Sequence, residues 1–254
     1  MLNYISAEWY KLRHTKGIFI AFGILLVMIV LFFLPAFWIS PPTFGVYAGA
    51  YVVTLLLGFF LAPIFAVRAF DDQYGRGTMK NEVVFGIPRH RVYLGKLIFG
   101  GLVGIGAAIM VLGFYLLLCV LSGGLAEEYA LLCIELCVQA TIFVLPLWLA
   151  SLSLAFLFQA AVKNSGGALA VNYLLLIFAT PVAMMGGAEE AAPSYLVRFL
   201  TRWFFVAPFR EVFNTLDISH IALSSMAYSW LTGAGWFLAT TLLGLAVFSR
   251  KEIN

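Results

Sequence analysis

Residues 68–96 read RAFDDQYGRGTMKNEVVFGIPRHRVYLGK, and this polar stretch separates two long apolar runs. It carries six Lys/Arg residues and three acids, whereas no charged residue occurs between Lys16 and Arg68 or between Lys96 and Glu127. A transmembrane helix needs about 20 consecutive apolar residues, so both flanking runs are long enough to span a membrane. We therefore interpret residues 68–96 as a water-exposed loop of a membrane protein.

The overall composition excludes an ordinary soluble domain. Of the 254 residues, 63% are hydrophobic and 11% are charged, whereas a soluble domain has about 25% charged residues. The sequence predicts an all-α polytopic membrane protein in which residues 1–254 form a single transmembrane domain. The basic amino terminus and the apolar run after it resemble a signal peptide. The run lacks an evident small-residue cleavage site, so a retained first span is expected.

Six spans are predicted, and they cover about 18–38, 46–67, 97–121, 132–158, 166–186 and 228–248. Residues 187–227 are mixed in character. Arg198 and Arg202 lie four residues apart among aromatic and aliphatic residues, which predicts an amphipathic or partly re-entrant helix at the outer interface, ended by Pro208. The alternative is a seventh span with the carboxyl terminus outside, which the cost of arginine in a span disfavours.

The distribution of basic residues predicts the orientation. Cytoplasmic loops are enriched in Lys and Arg, and placing both termini in the cytoplasm puts twelve of the 15 Lys/Arg residues inside. Residues 1–16 combine aromatic and charged residues, and they fit either a helix at the inner membrane surface or a basic flank that only sets topology.

Few polar residues in the apolar runs are candidates for chemistry. Polar residues within spans are functional candidates by default, and here they are Glu135, Gln139, Gln159 and Asn172. Glu135 is a candidate for transport or proton relay. The alternative for these polar residues is a structural one, in which they form helix–helix hydrogen bonds or reach the headgroups. The sequence has no phosphate-binding loop, and its three histidines are scattered. Cys119, Cys133 and Cys137 are expected to be buried thiols. Nothing indicates catalysis or a nucleic-acid partner.

The 68–96 loop itself has internal organisation. Gly75 and Gly77 permit a turn, residues 78–85 fit a helix of about two turns, and Gly86-Ile87-Pro88 would end it. Arg89, Arg91 and Lys96 are expected to face the inner leaflet. Such a short helix held between two spans is either a lever or simply part of a large basic loop. Elsewhere, Pro63, Pro146 and Pro181 are expected to kink their spans. Gly100-x-x-x-Gly104 is expected to allow close helix packing.

This loop resembles the loop between spans two and three of ABC-2-type exporter permeases. The matching residues are Asp72, Tyr74, Gly77, Thr78, Lys80, Val83, Val84, Gly86, Pro88, Arg89 and Lys96. Residues 7–16, AEWYKLRHTK, with Glu8 and Lys11, are similar to the opening helix of that family. Asp71-Asp72 stand where many members have a glutamate, so the acidic match is approximate.

The resemblance implies a permease that is driven by a separate ATPase. Two copies of the ATPase, which binds ATP and Mg, would pair with two permeases, identical or similar, and this chain would hold no cofactor. The coupling interface would comprise Asp72, Tyr74, Gly77, Thr78, Met79, Lys80, Asn81, Glu82, Val83, Val84, Phe85 and Arg89.

The expected activity is export of an amphipathic peptide, either a toxin or an antimicrobial peptide, across the bacterial cytoplasmic membrane. Export of lipid, polysaccharide or drug remains an alternative, as does an ion-coupled secondary transporter that uses Glu135. An intramembrane enzyme or an assembly factor is a third class, which the lack of a clustered catalytic set disfavours.

Overall fold

The computed structural model describes residues 6–7, 9–10, 16–38, 44–75, 88–121, 127–162, 164–185, 194–214 and 221–250. These ranges are almost entirely helical and contain no strand. In chain order, the long and short helices are α1 (Lys16–Trp38), α2 (Phe44–Gly75), α3 (Arg89–Leu121), α4 (Glu127–Ala161), α5 (Ser165–Met184), α6 (Tyr195–Trp203), α7 (Phe209–Asn214) and α8 (Leu223–Arg250).

Five of the described helices are long and apolar enough to cross a membrane, which confirms a helical, multi-span membrane protein. The candidate spans are Val46–Ile64, Arg89–Leu121, Leu131–Ala161, Ser165–Met184 and Leu223–Arg250. The 23-residue helix α1 carries no charge after Lys16 and includes the shorter apolar segment Phe22–Leu31. The predicted count of six spans depends on α1.

Helix α4 is the centre of the bundle. It packs against α2, α3, α5 and α8, and its span is more fully buried than those of the other helices. Hydroxyl groups supplement this apolar packing: Ser151 Oγ donates to the carbonyl of Phe59 at 3.1 Å, and Ser153 Oγ and Thr240 Oγ1 are 2.6 Å apart. Since lipid offers no hydrogen bonds, such polar contacts favour specific helix pairs.

Two glycines bring neighbouring helices unusually close to α4. A Cβ atom at Gly233 of α8 would lie 2.7 Å from the carbonyl carbon of Pro146, so only glycine fits there without a shift. Gly58 of α2 lies under the indole of Trp148, whose Nε1–H donates to the carbonyl of Leu55 at 3.0 Å. Gly58 and Gly233 therefore permit close packing of α2 and α8 against α4.

The predicted Gly100-x-x-x-Gly104 contact is only half correct. A Cβ atom at Gly100 would lie 3.3 Å from the ring of Phe156 in α4, whereas the same position at Gly104 has no atom within 4 Å. Both glycines line an apolar cavity instead. The spacing brought them to one face of α3, but the neighbouring helix fills only one of the two positions.

The polar block is also less of a loop than its composition suggested. Helix α2 continues to Gly75, and α3 begins at Arg89 rather than after Lys96. At about 1.5 Å per residue, the 32 residues of α2 extend about 48 Å, well beyond a hydrocarbon core of about 30 Å. Both ends of residues 68–96, including their charged residues, therefore belong to the long helices α2 and α3.

Candidate functional site

Helix α3 begins where the predicted coupling segment ends. The carbonyl of Pro88 accepts hydrogen bonds from the backbone N–H groups of Arg91 at 2.9 Å and Val92 at 3.3 Å. Proline has a fixed φ and no N–H group, which suits the start of a helix. Residues 76–87 lead along the chain directly to this helix start. We call this end of the bundle the loop end.

At the loop end, Arg89 connects α3 to the last turn of α8. Its Nη1 donates to the carbonyl oxygen of Ser249 at 3.0 Å. A helix carboxyl terminus presents unpaired carbonyls and a partial negative charge, so an arginine there is favourable. Arg89 is the one predicted coupling residue whose side-chain contacts the structure describes.

One turn further along α3, Tyr93 reinforces the same connection. Its fully buried ring packs edge-to-face on Phe156 of α4, with centroids 6.2 Å apart, and against Phe248 of α8 at 5.7 Å. A Cβ atom at Gly244 would overlap its hydroxyl group. Three helices therefore meet around one aromatic side chain at the loop end.

The prediction that Lys96 faces the inner leaflet is wrong. Its side chain is only 1% exposed and lies on the buried face of α3, with Val92, Tyr93 and Leu97 among its buried neighbours in sequence. Arg91, in contrast, is exposed. The helix begins at Arg89, and its rotation places position 96 inside the bundle, which the charge of the residue could not indicate.

Most of the predicted coupling interface lies outside the described residues. This holds for Gly77, Thr78, Met79, Lys80, Asn81, Glu82, Val83, Val84 and Phe85, and for Glu8 and Lys11 of the amino-terminal segment. The backbone of Asp72 and Tyr74 belongs to the last turns of α2. Near Glu8 and Lys11, the ring of Trp9 packs edge-to-face against Phe99 of α3 at 6.3 Å.

Glu135 and Gln139 form a short polar chain on α4. Gln139 Nε2 donates to Glu135 Oε1 at 3.0 Å. The Oε1 atom of Gln139 accepts the backbone N–H of Ile221 at 2.8 Å, just before α8 begins. Glu135 is exposed at the surface of the bundle. This geometry gives both residues a clear structural contribution, because they fix the approach of the chain to α8.

Asn172 has a different environment. It is 1% exposed on α5, and neither atom of its amide group has a hydrogen-bond partner among the residues that the structure describes. A buried amide without partners is unfavourable by about 1–3 kcal/mol. It does not join Glu135 and Gln139 in one polar site. Gln159, the other predicted candidate, donates from Nε2 to the carbonyl of Ser165 at 3.3 Å and so connects the ends of α4 and α5.

Residues 194–214, between α5 and α8, fold back against the long helices. Ser194 caps α6, which ends at Trp203, five residues before the predicted end at Pro208. Trp236 Nε1 donates to the carbonyl of Trp203 at 2.6 Å. Since Trp236 lies 13 residues into α8, the end of α6 is about 20 Å along that helix. Pro208 precedes the short helix α7 instead.

The sequence analysis does not predict that the apolar residues after α6 pack inside the bundle. Residues 204–209 are buried, and Phe205 and Phe209 pack against Phe59 of α2 with ring centroids 6.0 and 5.5 Å apart. The aromatic run WFFVAPF was the available signal. The sequence predicts that the helix continues to Pro208, whereas the chain turns inward after Trp203.

The three cysteines are free and buried, as expected. They lie near the ends of α3 and α4 that join through residues 122–126, beside the buried Tyr115. The thiol of Cys133 contacts those of Cys119 and Cys137. This cluster belongs to the apolar core of the bundle.

Comparison with known protein families identifies a match that covers most of the chain. The family model described as ABC-2 family transporter protein matches residues 4–182, more than two thirds of the chain. The matched region includes helices α1–α4, nearly all of α5 and the whole of residues 68–96. A search of curated protein sequences finds no match.

Proposed function

Because the chain belongs to the ABC-2 family of transporter proteins, we propose that it is the permease of an ATP-driven exporter of amphipathic peptides. The coarser part of this statement, a membrane permease subunit of an ABC transporter, follows from the family. The family match across residues 4–182 is the observation that carries the proposal. Direction, substrate, stoichiometry and location in a bacterial cytoplasmic membrane are the parts proposed.

In the proposed arrangement, six spans place both termini in the cytoplasm, with α1 as the first span. Residues 78–85 form a coupling helix that docks in a cleft of a separate ATPase, and the amino-terminal helix lies beside it. Two ATPase copies bind ATP and Mg, and two permeases, identical or similar, form the membrane part. The basic loop end of the bundle supports this orientation.

The contacts of Arg89 and Tyr93 support a route by which the coupling helix moves the spans. Movement of residues 76–87 passes to the start of α3, and from there to α8 through the Arg89–Ser249 hydrogen bond. The 28 residues of α8 form a rod about 42 Å long. Its other half holds residues 194–214 through Trp236 and Tyr228. ATP-dependent closure of the ATPases would thus reach the opposite end of the bundle.

The size of the internal cavity supports a transport route between two permeases. The cavity among α1, α2, α3 and α4 is apolar and has a volume of about 50 Å³. Ligand pockets for even small molecules have volumes of about 300–1,000 Å³, so this space is too small for a peptide. A route at the interface of two copies would expose the substrate to the apolar faces of several spans.

Inside-out membrane vesicles that contain the chain and its ATPase test this function. We expect a fluorescent cationic amphipathic peptide to accumulate in the vesicles when ATP is supplied. Ionophores should not reduce this accumulation, and a non-hydrolysable ATP analogue should not support it. A labelled short-chain phospholipid and a hydrophobic dye, assayed in parallel, report the alternative substrate classes. Accumulation that follows an ion gradient and ignores ATP would contradict the proposal and favour a secondary transporter.

A further inference from the structure

A groove between α6 and α8 is large enough to hold a ligand. Its volume is about 770 Å³, within the range of about 300–1,000 Å³ for ligand pockets. One wall is a face of α6, and the floor is a face of α8. The lining residues are Phe199, Arg202, Trp203, Ser224, Ala227, Tyr228, Leu231, Thr232, Gly235 and Trp236.

The floor of the groove is held rigidly in place. Trp236 donates its indole N–H to the carbonyl of Trp203, and its ring packs against Phe204 at 5.6 Å and Phe205 at 5.8 Å. Tyr228 donates its hydroxyl to the carbonyl of Arg202. Preorganised walls reduce the ordering cost of binding. The groove is therefore a formed feature of the fold.

The groove changes in polarity along α8. Ser224 and Tyr228 lie near the start of the helix, whereas Leu231, Gly235 and Trp236 lie one to three turns further in. Leu231 and Trp203 remain 76% and 54% exposed, so apolar surface is available to a ligand at depth. Such a surface matches a molecule with a polar head and a hydrocarbon tail.

Arg202 specifies the charge of that head. In the described part of the chain, its guanidinium contacts the ring of Trp203, with the central carbon 5.9 Å from the ring centroid, and no carboxylate pairs with it. Guanidinium groups bind phosphate through two parallel hydrogen bonds. An exposed arginine beside two tryptophans, Trp203 and Trp236, offers both a charge for a lipid phosphate and apolar surface for its chains.

We propose that the α6–α8 groove binds one anionic phospholipid, with its phosphate at Arg202 and its acyl chains along Leu231, Gly235 and Trp236. The membrane orientation in the proposed function places this lipid in the outer leaflet. The site itself depends only on contacts within the described chain. A lipid there would cover the exposed apolar surface of α6 and so hold residues 194–214 against α8.

Native mass spectrometry of the detergent-purified full-length chain tests the site. The chain is mixed with equimolar phosphatidylglycerol and phosphatidylcholine of identical acyl chains. We expect one tightly held phosphatidylglycerol, preferred about tenfold or more. Both lipids offer a phosphate to Arg202, but the guanidinium repels the quaternary ammonium that only phosphatidylcholine carries. Equal retention of the two lipids by the unmodified chain would overturn the proposal.

Two variants separate the headgroup contact from the acyl contact. Arg202→Gln is expected to remove the preference, whereas Arg250→Gln, at the other end of α8, keeps it. Gly235→Trp should displace both lipids, because a Cβ atom there has no atom within 4 Å and points into open space. Gly235→Ala is its control. A preference that survives Arg202→Gln, or lipid retention unchanged by Gly235→Trp, would contradict the assignment.

Two further readouts exclude other occupants. Millimolar inorganic phosphate is expected to leave the lipid bound, since the acyl chains contribute their own contacts, and complete displacement would indicate a simple anion site and overturn the proposal. A dimer that dissociates on Gly235→Trp without any change in lipid retention would assign the groove to a second copy. Because no transport is measured, failure of the export proposal would leave these results unaffected.

Discussion

Tyr93 of α3 occupies the space that a side chain at Gly244 of α8 would need. The two residues meet at the loop end, close to the Arg89–Ser249 hydrogen bond. The glycine therefore permits the contact by which α3, the helix that follows residues 76–87, reaches α8. The proposed coupling route depends on this pairing.

Gly244→Ala is expected to destabilise the protein by about 1–3 kcal/mol, since the new methyl group overlaps the Tyr93 phenol. Tyr93→Phe alone should be neutral or slightly stabilising, because the buried hydroxyl has no hydrogen-bond partner in the described part of the chain. Combined with Gly244→Ala, it should recover part of the loss. Thermal unfolding of the four proteins in one detergent gives this double-mutant cycle. Strict additivity would contradict the direct contact.

Two glycines on α8 provide a matched comparison of helix packing. Gly233→Ala is expected to cost about 1–3 kcal/mol, because its methyl group would lie within 2.8 Å of the main chain of Pro146, and a backbone cannot rotate away as a side chain can. Gly235→Ala has open space and should be neutral. The measurement is again the unfolding midpoint. Equal shifts for the two variants would show that α8 packs against α4 differently.

Neighbouring arginines on α3 allow a test of coupling. Arg89→Gln weakens the connection to Ser249, so we expect less labelled peptide moved per ATP hydrolysed in proteoliposomes that contain the ATPase. Arg91→Gln removes the same charge from an exposed position and should leave that ratio unchanged. If both variants lower the ratio equally, basic charge rather than the α3–α8 connection determines coupling.

Variants of Glu135 and Gln139 on α4 distinguish a structural role from a role in transport. Gln139→Leu removes the acceptor for the Ile221 N–H and is expected to lower stability by about 1 kcal/mol. Glu135→Gln preserves an acceptor for Gln139 and should keep both stability and ATP-driven transport. Loss of transport in a well-folded Glu135→Gln protein would instead indicate proton or ion coupling at this residue.

The sequence was sufficient for the class of fold, because long charge-free runs have few alternatives to membrane helices. It was not sufficient for the faces of those helices. Lys96 was assigned to the surface from its charge, but its position on α3 buries it. The sequence analysis does not single out Gly233, and its importance depends on Pro146, 87 residues earlier in the chain.

In the candidate site too, the sequence identifies the segment but not its tertiary contacts. Residues 68–96 stood out because their charge and turn residues contrast with their surroundings. The Arg89–Ser249 hydrogen bond joins residues separated by 160 positions, and no local pattern predicts it. The inward turn after Trp203 likewise depends on tertiary partners, Trp236 and Phe59, rather than on the amphipathic period of α6.

The most direct test of the central claim is a gentle-detergent purification of the tagged chain from its own host membranes. The proteins that accompany it would be identified, and ATPase activity measured. We predict a stoichiometric soluble ATPase that is lost when Gly77→Trp disrupts the coupling segment, with the unfolding midpoint of the permease unchanged. A chain that emerges folded, alone and without ATPase activity would contradict the account.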